Sequence, residues 1–361
     1  MQIGLAGLQY SGKTTLFNTL TRTNESDNAS QGGDKANLAV VKVPDERLDK
    51  STEIFKPSKK VNATIEVYDI PGLRVSEDGK VKITADFLNN VKNNDALFYV
   101  IRQFKNEAVS HPEGTIDALR DIQFLETEFL LADMALLETR KEKLEKDILK
   151  SKNDQAKREQ PLINKCLAHV EKELPLRLLE LDDNDRKLLS AYQFLTLKPL
   201  VAAINFDEDS SGKVQPVLEA IEKSFDKYKI TLIPFFAKFE YELSQMEEEE
   251  AKVFMEDFGI TESALNKILR TSYKVLGLQS FLTVGEDECR AWTIKKNMTA
   301  QDAAGVIHTD FYNKFIRAEV VHYDEFMKYG SFPKCKDAGV WRLEGKEYIV
   351  KDGDILSIRH S

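Results

Sequence analysis

The stretch GLQYSGKTT, Gly7 to Thr15, carries the densest chemical signal in the chain. It matches G-x-x-x-x-G-K-[ST], follows the strand-like run QIGLAG and opens a helical run, which is the context a phosphate-binding loop needs. Gly7 and Gly12 let the backbone curl so that its N–H groups face phosphate oxygens, from Gln9, Tyr10 and Ser11 through Gly12 to Thr14 and Thr15. The start of the following helix adds partial positive charge. Lys13 is expected to reach the β- and γ-phosphates, as both a binding and a catalytic group, and the Thr14 hydroxyl to ligate Mg²⁺.

A second signal is VYDIPGL, Val67 to Leu73, with D-x-x-G at the end of an apolar run. Downstream of a phosphate loop, Asp69 can hold Mg²⁺ through water and the Gly72 N–H can sense a γ-phosphate. Leu73 follows, where hydrolases of the Ras type carry a Gln that orients the attacking water. Leucine cannot bond water, so another group must supply that contact or hydrolysis is slow. Asp78, Lys80 and His111 lie in candidate loops, and His111, in AVSHPEG after the run ALFYVI, is the candidate catalytic residue that would approach the phosphates and position the water. No Thr stands between Asn24 and Val40 to complete a Mg²⁺ shell.

A third signal is AINFDED around Asn205, Phe206 and Glu208. The Asn205 amide offers a donor and an acceptor, so it suits the N7 edge of either purine. Guanine-binding proteins place an Asp three residues on, accepting from guanine N1–H and N2–H₂ together. Glu208 is one methylene longer, so the guanine clamp is lost and no adenine clamp replaces it. Phe206, or its backbone, can lie alongside the base. Ala237-Lys238 supplies part of a further base-contacting motif.

The elements that must hold these residues are legible as alternation. LAVVKV, ATIEVYDI, ALFYVI, LVAAIN and ITLIPFFA are β-rich apolar runs between helical segments, which predicts an α/β fold with a mainly parallel sheet. From about Asp121 to Ser190 the chain turns helical and charged. Ile122, Leu125, Phe129, Ala132 and Leu136 recur at 3,4,3,4 spacing on one face. With PLINKCLAHVEKEL they predict an inserted helical hairpin of coiled-coil type over 121–190, splitting the α/β domain into 1–120 and 191–277. After Gly277 a small α+β domain is expected over 278–361, where His308 and His322 read as structural or surface residues. The charge is −9, with 42% apolar and 31% charged residues, which argues against nucleic-acid binding by bulk attraction. Cys166, Cys289 and Cys335 have neither disulfide nor metal spacing, so a reducing, cytoplasmic setting is expected, and no run suggests a membrane span.

Taken together, these segments resemble the YchF / Obg-like ATPase family of P-loop proteins over nearly the whole chain. The resemblance rests on 7–15, PDERLD at 44–49, DIPGL at 69–73, SHPEG, FLTLKP at 194–199 and NFDE at 205–208. It continues with LNKILRTSYKVLGLQSFLTVG, RAWTI, AAGVIHTDF, FIRAEV and YIVKDGDI. It implies a G domain, a helical hairpin and a C-terminal TGS domain. It also implies a preference for ATP over GTP with Asn-x-x-Glu as the fourth motif, a hydrophobic residue after D-x-x-G, and a ribosomal or other RNA–protein partner. This chain departs from the family at QYS in its phosphate loop, in the tract RVSEDGKVKI, and at Gly33, which stands where the family has its switch Thr. The expectation is a monomeric, Mg²⁺-dependent ATPase with slow intrinsic turnover acting as a ribosome-associated switch. The alternatives are a GTPase of the same fold and a nucleotide-sensing scaffold without appreciable hydrolysis.

Overall fold

In the computed structural model the described residues are 1–21, 37–73, 83–150, 154–257, 260 and 262–361. Gly33, Asp78, Lys80 and the tract lacking a switch Thr lie largely or wholly outside them. The strands in chain order begin with β1 (Gln2–Ala6), β2 (Asn37–Lys42), β3 (Lys59–Val61) and β4 (Thr64–Asp69). They continue with β5 (Ala96–Gln103), β6 (Leu200–Phe206), β7 (Thr231–Phe235), β8 (Leu278–Thr283) and β9 (Glu288–Lys295), and end with β10 (Phe315–His322), β11 (Arg342–Glu344) and β12 (Asp354–His360). The chain divides into two units, 1–39 with 66–268, and 40–65 with 269–361.

In the first unit, β4-β1-β5-β6-β7 lie side by side, every pairing parallel. Central strands of such a sheet are covered on both faces, so they read as continuous apolar runs rather than alternating ones. β6, LVAAINF, is buried at every position. Parallel order brings the C-terminal ends of the strands to one edge, where open α/β sheets place their ligands. The register sets Arg102 of β5 opposite Asn205 of β6.

Between β5 and β6 stand the helices Ala118–Lys150 and Asp154–Val170. The first helix serves two cores. Ile122, Leu125 and Phe129 pack with the sheet, whereas Leu137 and Leu144 pack with Ile163, Cys166 and Val170 of the second helix. Asp133 sits at the changeover, accepting from the Leu195 and Thr196 N–H groups and from the Thr196 hydroxyl at 2.6–2.8 Å. Lys198 donates to the carbonyls of Lys92 and Asn94. The segment FLTLKP therefore fastens the helical insertion to the strand that follows it.

The second unit holds a mixed sheet in the order β11-β10-β12-β8-β9-β3. Phe281, Ile294, Ala300, Ala303, Ala304 and Val320 form its core, with small residues on the helix Ala300–Ile307 where it meets the sheet. Thr299 and Asp302 form a reciprocal cap at that helix start. The helical run that starts there breaks at His308, whose Nδ1 accepts from the Asp310 N–H and starts the short helix Thr309–Asn313. His322 caps Tyr323–Tyr329 in the same way.

Candidate nucleotide site

The loops after β1, β4, β5 and β6 meet at the C-terminal edge of the sheet. The first is the phosphate loop. A Cβ on Gly7 would stand 2.5 Å from the Val100 carbonyl oxygen, and one on Gly12 would stand 2.3 Å from Asn205 Nδ2. Both glycines have positive φ, 153° and 96°, so space and conformation agree in requiring them. The helix α1 (Lys13–Thr21) opens at the lysine and is held by buried Leu16, Phe17 and Leu20. Tyr10 is exposed, Ser11 is buried, and Thr15 faces the cavity described below.

Lys13 is buried, and its Nζ donates to the carbonyls of Leu8 at 2.7 Å and Gly7 at 3.3 Å. Burial pushes its pKa down to about 8, with Asp69 opposing. The D-x-x-G segment is stitched to this loop: Leu73 N–H donates to Gly7 O and Gln9 N–H to Leu73 O. A Cβ on Gly72 would stand 2.8 Å from Lys13 Nζ and 2.9 Å from Gln9 Cα, so only glycine fits. The Leu73 side chain enters the core beside Leu8 and Ile70. It offers nothing polar to water, and it anchors the segment.

Thr14 Oγ1 donates to Asp69 Oδ2 at 2.9 Å, and Asp69 Oδ1 is buried with no partner among the described residues. Burial raises the Asp69 pKa against the Thr14 hydrogen bond and Lys13. A hydroxyl beside a buried, unsatisfied carboxylate oxygen is a hard-oxygen donor set that suits Mg²⁺.

At the other end, Asn205 joins two segments. Its Nδ2 donates to Ser11 O at 3.2 Å, and its Oδ1 accepts from Ala237 N–H at 3.1 Å. One amide hydrogen and one lone pair remain for a ligand. Glu208 is half exposed and lies 3.8 Å from Lys238 Nζ, outside any buried clamp. Phe206 is buried, its ring 6.2 Å from that of Phe236. These residues border a cavity of about 550 Å³, walled also by Gly12, Thr15, Phe104, Lys105 and Tyr241, within the size range of small-molecule sites.

His111 stands apart from this group. Its Nε2 bonds Asp121 at 3.0 Å and its Nδ1 accepts from Glu113 N–H. That pairing assigns the neutral tautomer with the proton on Nε2. Burial lowers its pKa, with Asp121 opposing and Arg120 and Arg102 assisting. The sequence motifs give no role to Arg102 or Asp207, which shape the loop after β5. The one signal for Arg102 is a cation ending the apolar run ALFYVI.

Two family models match the chain. The YchF-GTPase C-terminal family, described as a protein of unknown function, matches residues 278–361, and the 50S ribosome-binding GTPase family matches residues 2–126. A protein of Haemophilus ducreyi called ribosome-binding ATPase YchF is 39% identical over 357 residues, covering 99% of this chain and 98% of the relative. Its Bacillus subtilis namesake is 37% identical over 361 residues, with coverage of 99% and 98%. The solved structure titled Schizosaccharomyces pombe YchF GTPase superposes with a TM-score of 0.87 at 33% identity, covering 99% of this chain and 97% of that one.

Proposed function

The chain belongs to the YchF family, and on that premise we propose that it binds and slowly hydrolyses ATP with Mg²⁺ and acts on the ribosome. The observation that carries this is the convergence at one sheet edge of buried Lys13, the Thr14–Asp69 pair with its unsatisfied oxygen, and Asn205 beside a base-sized cavity. When bound, Mg²⁺ neutralises charge on the phosphates. Lys13 is poised to exchange its two carbonyl acceptors for phosphate oxygens. Thr14 and Asp69 are the residues that would hold the ion. Asn205 keeps one N–H for the purine N7 edge.

The names of the relatives differ on the base, ATPase for the bacterial proteins and GTPase for the fission yeast structure. Glu208 bears on this choice. Guanine recognition needs a carboxylate fixed at N1–H and N2–H₂, and Glu208 is instead half exposed near Lys238. Guanine therefore loses a charge-assisted bidentate pair, a loss that removes a few kcal/mol of discrimination. A scaffold with negligible turnover is favoured by one observation, the burial of Leu73, which leaves no polar group at the water-orienting position. Both ring nitrogens of His111 are engaged, so a water-positioning role requires its bond to Asp121 or to the Glu113 N–H to open.

Side-by-side titrations with Mg-ATP and Mg-GTP, followed by single-turnover hydrolysis with and without ribosomes, test the proposal. Tighter ATP binding and ribosome-accelerated product are expected. Equal or tighter GTP binding sinks the ATP preference, and no product over hours with ribosomes present leaves only the scaffold.

A further inference from the structure

The cavity at the base end has two walls, and only one of them belongs to the recognised motifs. Gly12, Asn205, Phe236, Ala237 and Lys238 make that wall; the other is Phe104–Asn106, in the loop that follows β5. Two residues hold this second wall. Arg102 is 3% exposed, and its guanidinium donates to the carbonyls of Phe104 at 3.1 Å, Val109 at 2.9 Å and Asn106 at 3.5 Å. It also lies 4.7 Å from the centroid of the Phe104 ring. A buried cation held by three carbonyls of one loop gives that loop a fixed curvature, because each lost bond would leave a charged donor unsatisfied.

Asp207 joins the two walls. Its Oδ2 accepts from the Lys105 N–H at 3.2 Å, a bond that runs from the turn after β6 to the turn after β5. The other oxygen, Oδ1, is buried without a partner among the described residues. Lys105 and Asn106 are exposed, so little apolar packing holds this end of the loop, and whereas Arg102 shapes the loop from within, the Lys105–Asp207 hydrogen bond is what ties it to the turn after β6.

We propose that Asp207, with Arg102 behind it, is a positioning residue for purine binding: it holds Phe104–Asn106 against the Asn205–Glu208 turn and thereby sets the width of the cleft that takes the base. This rests on reading the cavity as the nucleotide site. It extends that reading by assigning selectivity to a loop outside the phosphate-binding and Asn-x-x-Glu motifs.

The full-length protein is titrated with Mg-ATP, Mg-GTP and inorganic tripolyphosphate, which engages the phosphate end and lacks a base. Asp207→Ala is expected to weaken ATP roughly threefold to tenfold, the range of one net hydrogen bond, while tripolyphosphate affinity holds to within about twofold. The ratio of ATP to GTP affinity shifts with it. Asp207→Asn keeps a side-chain oxygen for the Lys105 N–H and is expected to restore ATP binding. Unchanged ATP affinity in Asp207→Ala overturns the inference. So does parallel loss of ATP and tripolyphosphate, or failure of Asp207→Asn to rescue. A wild-type protein that binds none of the three ligands overturns the nucleotide reading itself, a result distinct from each of these.

Discussion

Lys13 shows how a residue legible in a motif acquires chemistry only from its burial. The pattern G-x-x-x-x-G-K-[ST] identifies it because the loop is contiguous and each position has its own physical demand. Its pKa of about 8 depends on what packs around it, which no local pattern contains. The folded value lies below the ordinary 10.5, so between these two values the unfolded chain holds more protons and the ligand-free protein gains stability as pH rises. Binding works in the opposite sense. A polyphosphate favours the charged lysine, and triphosphate is already fully ionised above pH 8, so the protein must take up a proton to bind. ATP affinity is therefore expected to fall by up to about tenfold for each pH unit above 8, with uptake of about one proton per nucleotide at pH 9. Calorimetry in buffers of different ionisation heat measures both, and a pH-independent affinity without proton uptake would refute the assignment. Asn205 and Leu73 show where the sequence stops. Asn205 is readable as a purine contact, but not as the tie between Ser11 and Ala237, which lie far away in the chain. Leu73 reads as a missing polar group, whereas its burial beside Leu8 gives it an anchoring role.

Among the elements, the parallel strands were legible because burial on both faces leaves unbroken apolar runs, and β6 is the clearest of them. The helical insertion was legible from the spacing of Ile122, Leu125 and Phe129. Its division of labour was not, because Ala132 and Leu136 continue the same stripe while the packing partner changes from the sheet to the second helix. Asp133 marks that change. Its carboxylate meets three donors, and an amide has only one oxygen to offer them. Asp133→Asn must turn its NH₂ toward at least one of these donors, so a loss of about 1–3 kcal/mol in unfolding free energy is expected, the cost of an unsatisfied buried group. Urea denaturation measures it. A variant as stable as the wild type would mean that the insertion is held by its apolar contacts alone. In the C-terminal unit, His308 and His322 read from sequence as structural or surface residues, and their role as helix caps depends on backbone conformation that composition does not specify.

For the molecule as a whole, the order of residues along the chain misleads about which segments share a core. Residues 40–65 lie far upstream of 269–361, yet they fold in the same unit. The strand β3 is three residues long, KKV, and pairs with β9 from the sheet edge. Its first two positions are exposed lysines, so it lacks the apolar signal by which strands are recognised. The helix Glu46–Phe55 is tied at its start by Arg47 to Asp352, and at its end Phe55 stacks on Phe326 and packs at a tilt against Phe332, with ring centroids 5.5 Å from each. The half-exposed ion pair contributes little, so at this end of the segment the aromatic cluster is the larger apolar attachment, beside the β3–β9 pairing and buried Leu48. Truncating a buried phenylalanine costs about 3–5 kcal/mol, and Phe55 is partly exposed, so Phe55→Ala is expected to cost roughly 1–3 kcal/mol. Because the lost contacts are with Phe326 and Phe332, the effect should appear as faster amide hydrogen exchange within 278–361, more than two hundred residues downstream of the substitution. Unchanged exchange there, with faster exchange confined to 46–55, would show that the upstream segment rests on the C-terminal core without stabilising it.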